Sequence, residues 1–284
     1  MKFADGDFEP YRLLTPTVEA IPLICDSPHS GSVYPADFQT VLPTSVMRWA
    51  EDAYVDELWS SVPRHGGTLL CAEFPRSYVD VNREPDDIDP NILAEPWTTE
   101  VHPTDKSRLG YGLFWHSING QPIYDRKLWV GELENRISTY YEPYIAALWA
   151  QVERMVSVYG RVWHLNLHSM PSDTFAALGQ GGQLPDFVLG DRDGTTCDPT
   201  LTGIVEDFLT GCGYRVSRND PFKGVALVAK IGQPSAQRHS LQIEVNRALY
   251  MNEHTFEKSE GFGGLQRDVD ALVSHLHTFI KGLM

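Results

Sequence analysis

Apolar runs of strand length alternate with helical patterns along most of this chain. Residues 21–26, 67–72 and 162–168 form runs short enough for strands, whereas residues 131–159 repeat apolar side chains every three or four positions. This alternation is typical of a largely parallel sheet covered by helices. The pattern therefore predicts an α/β fold before any other feature is considered.

Further segments continue the same pattern. We predict helices at about 44–61 and 199–210, the second with Asp198 as its N-cap, and a final helix with an apolar face from Leu265 to Phe279. Pro143 predicts a kink or a break within the helical residues 131–159. The other predicted strands are 77–81, 187–190, 214–217 and 241–245.

The length of 284 residues suits one large α/β domain or two small ones, and we predict a single domain over 1–284, since the sequence shows no internal repeat. Residues 83–121 are rich in Pro, Asp and Gly and show no clear period. We expect them to form an elaborated loop region, and long irregular loops in compact domains are often functional.

Net charge and cysteine spacing limit the partners and the compartment. A formal charge of −15 would repel phosphate backbones and anionic lipid, so we expect neither a nucleic acid nor a membrane partner. No signal peptide or membrane-length apolar run is evident. The cysteines form no CxxC pair and fit a reducing cytosol, so we expect a cytoplasmic protein; they are Cys25, Cys71, Cys197 and Cys212.

Two of the most apolar predicted strands lead into histidines, His29 in LICDSPHS and His168 in HLNLHS. In a parallel sheet, ligands bind outside the carboxyl ends of the strands, and both histidines would emerge at that edge. Two imidazoles suit zinc. A hydrogen-bonded loop histidine is the competing interpretation of each residue taken alone.

A catalytic zinc usually takes three protein ligands, so an acidic third ligand is expected. Asp52 and Asp56 are four residues apart and would share a face of the predicted helix 44–61. We favour Asp52, which is nearer the start of that helix, and keep Asp56 as the alternative. Asp26 and Asn166 are candidates to orient a histidine ring.

Glu244 lies inside the strand-like run 241–245. Burying a carboxylate there is costly unless it is paired or protonated, and a desolvated glutamate beside zinc is a good general base. The alternative interpretation is a solvated strand residue paired with Arg247 or Arg238.

Three arginines, Arg76, Arg83 and Arg247, follow or end strand-like segments. Their guanidinium groups suit bidentate binding of carboxylates, although each is also compatible with an ordinary surface charge.

Taken in order, five segments resemble the N-formylglutamate amidohydrolase family, which is similar in turn to zinc carboxypeptidases and aspartoacylase-type deacylases. The segments are DSPHSG (26–31), AEDAYVDELW (50–59), FPRSYVDVNREPDDIDP (74–90), LNLHSMP (165–171) and LQIEVNRALYM (241–251). The resemblance implies a three-layer α/β/α sandwich around a mixed, mostly parallel sheet. It also implies zinc at the strand ends and a glutamate base on a late strand.

Carried over residue by residue, the resemblance implies zinc ligands at His29 and His168 and a base at Glu244. It also implies that Asn82 and Arg83 hold a substrate carboxylate. One position departs from the carboxypeptidase pattern: the acidic ligand expected three residues after the first histidine is replaced by Ser32. The acid must then come from elsewhere, which is the role we expect for Asp52.

The expected reaction is zinc-dependent hydrolysis of N-formyl-L-glutamate, a small anionic substrate, in one route of histidine breakdown. Arg76 or Arg247 would join Arg83 in binding the carboxylates. The alternatives are another N-acyl amino acid or a peptide-like amide on the same site, or a metal-independent binding protein. Hydrolysis by Cys25 or Cys71 is disfavoured because both lie in apolar strands, where a thiol is usually inert.

Overall fold

A mixed sheet of seven strands is the largest element of the computed structural model, which describes residues 2–3 and 8–284. The strands are β1 (Tyr11–Leu14), β2 (Leu23–Ser27), β3 (Thr68–Ala72), β4 (Val162–Met170), β5 (Phe187–Gly190), β6 (Val216–Arg218) and β7 (Arg238–Asn246). Their order across the sheet is β6-β5-β7-β4-β2-β3-β1. Strand β4 runs parallel to both β2 and β7, and β5 runs parallel to β6, whereas β7 and β5 are antiparallel.

The central strands are covered on both faces. Every residue of β2, β3 and β4 is buried, as expected for strands with packing above and below. On one face, the ring of Trp163 lies 5.5 Å from the ring of Phe279 in the last helix. The predicted α/β class, with a mixed and mostly parallel sheet flanked by helices, is confirmed.

The helices are mostly short. They are Thr44–Met47, Val55–Leu58, Asp105–Arg108, Val130–Arg136, Glu142–Tyr159, Thr174–Ala177, Pro199–Gly211, Ala226–Ile231 and Phe262–Lys281. Short 3₁₀ turns occupy Arg48–Ala50, Val62–His65, Pro90–Ile92, Pro234–Ala236 and Arg247–Leu249. Two-residue strands pair Lys2–Phe3 with Val33–Tyr34, Ser117–Ile118 with Gln121–Pro122, and Met251–Asn252 with Glu257–Lys258. Much of 83–121 is irregular, as predicted.

Two predicted elements are wrong. The helix predicted at 44–61 is interrupted, because Tyr54 adopts a left-handed backbone conformation (φ 67°) that cannot continue a right-handed helix. Residues 77–81 form turns instead of a strand. The amide of Tyr78 donates to the carbonyl of Pro75 and that of Arg83 to the carbonyl of Asp80, while the amide of Asp80 donates to the distant carbonyl of Leu113.

The break predicted at Pro143 is not observed, whereas a kink there stays a prediction. A π-helical turn, Ile137–Tyr141, directly precedes the helix that contains Pro143, so helical structure continues from 130 to 159 without a gap. Proline has no N–H to donate, and a wider turn is one way for a helix to accommodate that loss. The N-cap at Asp198 is confirmed, since its side chain accepts a hydrogen bond from the amide of Thr200.

The described residues form two compact units. One includes 8–12, 28–53 and 71–149, and the other includes 13–27, 54–70 and 150–284. A single domain over 1–284 stays a prediction. Within 2–3 and 8–284, every helix is too short or too polar to cross a membrane.

Candidate metal and catalytic site

His29 follows β2 and is 1% exposed. Its Nε2 lies 2.7 Å from Oδ1 of Asp80, and its Nδ1 lies 3.5 Å from Oδ2 of Asp52. An ionised carboxylate only accepts hydrogen bonds, so Nε2 carries a proton, and in a neutral ring the lone pair is then on Nδ1. A histidine fixed in this way by a carboxylate is a typical metal ligand.

Gly31 allows the segment around His29 to approach the backbone at residues 73–74. A Cβ atom at Gly31 would lie 2.1 Å from the carbonyl oxygen of Phe74. Any larger residue would therefore force the two backbone segments apart, which explains the glycine in the motif DSPHSG.

Asp52 lies in the interruption between two short helices and is 1% exposed. Its amide donates a 2.9 Å hydrogen bond to the carbonyl of His29. The preceding residue, Glu51, accepts hydrogen bonds from Tyr34 and Arg48, and burial raises the pKa of Glu51. These contacts hold the chain around Asp52, so its position does not depend on the long helix that the sequence predicted.

Asp80 was not recognised in the sequence as a site residue. It is fully buried, and its Oδ1 accepts a 2.9 Å hydrogen bond from the amide of Asn82 in addition to its contact with His29. The predicted substrate-binding residue Asn82 is itself 1% exposed. The Asp-Val-Asn-Arg segment thus supports a histidine as well as carrying candidate substrate-binding residues.

Two arginines flank the other oxygen of Asp80. Arg76 donates to Oδ2 through Nε (3.2 Å) and Nη2 (2.9 Å), and the Nε of Arg83 lies 3.8 Å away. Trp115 donates to the same oxygen at 3.3 Å, and the guanidinium of Arg76 lies 4.8 Å from the centre of the Trp115 ring. Burial opposes the charge of Asp80, but Arg76, His29 and Arg83 outweigh it and hold its pKa well below the usual value. Burial lowers the pKa of Arg83.

A row of polar side chains lies on one face of the central strands, and we call it the polar face. Alternation along each strand and the observed register place these side chains on the same side of the sheet. All are at least nine-tenths buried. The members of the polar face are Asp26 in β2, His164, Asn166 and His168 in β4, and Ser240, Gln242 and Glu244 in β7.

His168 is 4% exposed, and its Nε2 contacts Oδ1 of Asn166 at 2.8 Å. Asn166 donates in turn to Asp26 at 2.8 Å. Burial opposes the charge of Asp26, but hydrogen bonds from His164 and Asn166 outweigh it, so the pKa of Asp26 is lowered. Asn166 therefore contacts the histidine that the sequence suggested it would orient.

Glu244 pairs in register with His168 across the parallel strands β7 and β4. It is 8% exposed, and its Oε1 accepts a 2.9 Å hydrogen bond from Nε2 of Gln242. The interpretation of Glu244 as a solvated strand residue is wrong, because the side chain is buried. Arg247 follows β7, is 3% exposed and donates to Oγ of Ser169 at 3.0 Å.

His29, Asp52 and His168 each offer one ligand atom, and these atoms lie within 4.8 Å of one another. All three residues are buried. Asp56 is not part of this group, which is the one cluster of three or more potential metal ligands among residues 2–3 and 8–284. Two imidazoles and a carboxylate match the donor set of a catalytic zinc site that leaves a fourth position to water. The residues present therefore fit a zinc ion.

A mixed α/β sheet with a cluster of two histidines and an aspartate is typical of metal-dependent hydrolases. A sequence profile of the N-formylglutamate amidohydrolase family matches residues 21–251. The chain therefore belongs to this family of amide hydrolases, as the five sequence segments predicted.

Known proteins of similar sequence and structure agree with this assignment. The N-formylglutamate deformylase of Pseudomonas aeruginosa is 28% identical over 238 residues, which are 82% of this chain and 83% of that protein. This chain is also similar to N-formylglutamate amidohydrolase from Ralstonia eutropha JMP134, whose crystal structure is known. The two sequences are 52% identical and the structures superpose with a TM-score of 0.96, over 98% of this chain and 100% of that one. A gene product of Agrobacterium tumefaciens (20% identity, TM-score 0.61, 96% of this chain and 94% of that one) shares the fold.

Proposed function

We propose that this protein is a zinc-dependent deformylase that hydrolyses N-formyl-L-glutamate to formate and L-glutamate. The observation that carries the proposal is the grouping of His29, Asp52 and His168, whose ligand atoms lie within 4.8 Å of one another in a chain of this family. Relatives that are named for this reaction supply the substrate.

His29, Asp52 and His168 would hold the zinc ion, and Asp80 and Asn166 would hold the two imidazole rings. When bound, zinc supplies Lewis-acid chemistry: it acidifies water toward neutral pH and polarises a carbonyl group. Both histidines contact these partners through Nε2, so Nδ1 would be the ring nitrogen that each offers to the metal.

Glu244 would act as the general base and later as the general acid. Its carboxylate takes a proton from the attacking water, and it then gives that proton to the nitrogen of the leaving amine, because an amine cannot leave as an anion. The hydrogen bond from Gln242 to Oε1 favours the ionised carboxylate, which is the form that a base requires.

The substrate carboxylates would bind to Arg83 and Asn82, with Arg76 and Arg247 as further candidates. Arg76 and Arg83 share one buried carboxylate, Asp80, so together these three groups carry one surplus positive charge. This local charge favours a carboxylate although the whole chain has a net charge of −15.

Another N-acyl amino acid on the same site is the second candidate, since the cluster of ligands does not select the acyl group.

A non-catalytic binding protein is less well supported, because a buried glutamate in register with a candidate ligand has no evident purpose in simple binding. A thiol mechanism is not supported, as Cys25 and Cys71 are fully buried. The four cysteines are free thiols, in keeping with the reducing cytoplasm that we propose. The role that we propose in histidine breakdown rests on the family resemblance alone.

The test combines metal analysis with an assay of formate release. We expect about one zinc ion per chain, loss of activity after chelation and recovery on zinc addition. N-Formyl-L-glutamate should be preferred over N-formyl-L-aspartate and N-acetyl-L-glutamate. A preference for N-acetyl-L-glutamate would contradict the proposed substrate. Full activity without any metal would overturn the zinc mechanism.

A further inference from the structure

Four buried side chains of the polar face form a continuous hydrogen-bonded chain that ends at His168. Ser240 Oγ lies 2.7 Å from Nδ1 of His164, and Nε2 of His164 lies 2.8 Å from Oδ1 of Asp26. Asn166 Nδ2 donates to the same Asp26 oxygen at 2.8 Å, and Asn166 Oδ1 lies 2.8 Å from Nε2 of His168. The first four members are fully buried, and His168 is 4% exposed.

The chemistry of these groups allows one arrangement of protons at the end of the chain. An ionised carboxylate only accepts, so Asp26 requires the amide nitrogen of Asn166 to face it. The amide oxygen of Asn166 then faces His168, and an amide oxygen also only accepts. His168 must therefore carry a proton on Nε2, which leaves the lone pair of the neutral ring on Nδ1.

The ionised state of Asp26 is what gives the chain its direction. Burial opposes this charge, and the hydrogen bonds from His164 and Asn166 offset that cost. Ser240 completes the arrangement, because its hydroxyl donates to Nδ1 of His164 while Nε2 of His164 donates to Asp26. Apolar side chains at these positions would bury no charge and would avoid its desolvation cost. The opposite face of β4 is built in that way, with Leu165 and Leu167 fully buried.

We propose that Ser240, His164, Asp26 and Asn166 are positioning residues that hold His168 in the Nε2–H tautomer and so present Nδ1 to the metal. The tautomer follows from the contacts of the chain itself, and only the metal step rests on the proposed function. His29 reaches the same tautomer through a direct contact with Asp80, so the two histidines are fixed by different devices.

The decisive measurement is the tautomer of His168 in the metal-free protein. Long-range ¹H–¹⁵N spectra of ¹⁵N-histidine-labelled protein, recorded about two pH units above the ordinary histidine pKa, separate the two neutral tautomers. The His168 signals are assigned by their loss in His168→Gln. We expect the Nε2–H pattern, and an Nδ1–H pattern would overturn the proposal whatever the variants do.

Two variants test whether the hydrogen-bonded chain sets the tautomer of His168. Asp26→Asn keeps the size of the side chain but allows the Asn166 amide to turn over, and Asn166→Leu removes the acceptor. We expect both to give a mixture of tautomers, whereas the exposed control Asn135→Leu should not change the spectrum. If both folded variants keep the Nε2–H tautomer of His168, the hydrogen-bonded chain does not position His168 and contributes only to the stability of the fold.

Metal affinity gives a second readout that does not depend on turnover. Zinc affinity, measured by competition with a chelator, should fall by about 10- to 100-fold in Asn166→Leu. The wild-type protein could bind no zinc and still show the Nε2–H tautomer that Asn166→Leu disturbs. In that case the proposed metal function fails, and the role of the hydrogen-bonded chain in setting the tautomer stands. If zinc binds but the tautomer of His168 is Nδ1–H, the proposed role of the hydrogen-bonded chain is contradicted and the proposed zinc function is not.

Discussion

Glu244 and His168 occupy the same register position on neighbouring parallel strands, and their side chains leave the sheet on the same face. Both positions lie inside the regular hydrogen-bonded ladder between β7 and β4 and not in a loop. A proposed base and a proposed metal ligand are thus held by paired strands, on which a fixed geometry is easier to maintain than on loops.

Replacing Glu244 by Gln should abolish most of the activity without releasing the metal. The amide cannot take a proton from water, and general acid–base catalysis typically contributes about 100- to 10,000-fold. We expect a loss of kcat of that size, with zinc content unchanged. Near-full activity in the zinc-loaded variant would remove Glu244 from the mechanism.

Gln242 should affect the rate through Glu244. Gln242→Met removes the donor to Oε1 of Glu244 while keeping a similar volume. The loss of a hydrogen bond to a charged group should lower kcat by about tenfold or more, with little change in KM. The exposed residue Gln39 provides the matched control Gln39→Met. A raised KM with unchanged kcat would assign Gln242 to substrate binding.

Arg83→Lys should weaken binding of the substrate carboxylate, because lysine keeps the charge but loses the planar pair of donors. We expect KM for N-formyl-L-glutamate to rise about tenfold or more. A substrate whose carboxylate is converted to an amide should show a much smaller change, as should the exposed control Arg154→Lys. Equal penalties on both substrates would contradict a carboxylate contact at Arg83.

Acid should destabilise the protein partly through Asp26. Its pKa is lowered in the folded state, so its charge contributes stability above the ordinary value of 3.8, and this contribution is lost as the pH falls through the folded-state value. Urea unfolding of the wild type should show a larger fall in the free energy of unfolding between about pH 5 and pH 3 than Asp26→Asn does. Equal falls would show that Asp26 is not a source of acid sensitivity.

Gly31→Ala should destabilise the fold around His29. The added Cβ meets the Phe74 carbonyl at 2.1 Å, and overpacking of this kind costs about 1–3 kcal/mol or more in the free energy of unfolding. The control Gly131→Ala, where no atom lies within 4 Å of the new Cβ, should gain up to about 1 kcal/mol. Thermal and urea unfolding would compare the two, and similar effects would contradict the close approach at Gly31.

Much of the sheet could be predicted because its strands are apolar runs bounded by turn residues. The central strands β2, β4 and β7 all lie where the sequence placed strands, and they differ from the predictions mainly at their ends. His29, His168 and Glu244 were identifiable for the same reason. Each lies at or near the carboxyl end of one of these runs.

Asp80 was missed because its contact with His29 joins residues 51 positions apart, and no local pattern encodes that contact. The alternation of residues 77–81 resembles a strand, yet their side chains are buried in a turn. His164 and Ser240 did leave a signal, since polar residues occupy alternate positions from 164 to 168 in β4 and from 240 to 246 in β7. Such alternation normally indicates a solvated face, and here the face is buried.

The position of β7 has a consequence for how the protein emerges from the ribosome. It is the last strand of the sheet to be synthesised, yet it lies between β4 and β5, which are both made earlier. Until residues 238–246 are available, β5 and β6 have no strand that joins them to β4, β2, β3 and β1. A nascent chain therefore cannot close its sheet, or bring Glu244 beside His168, before most of translation is complete.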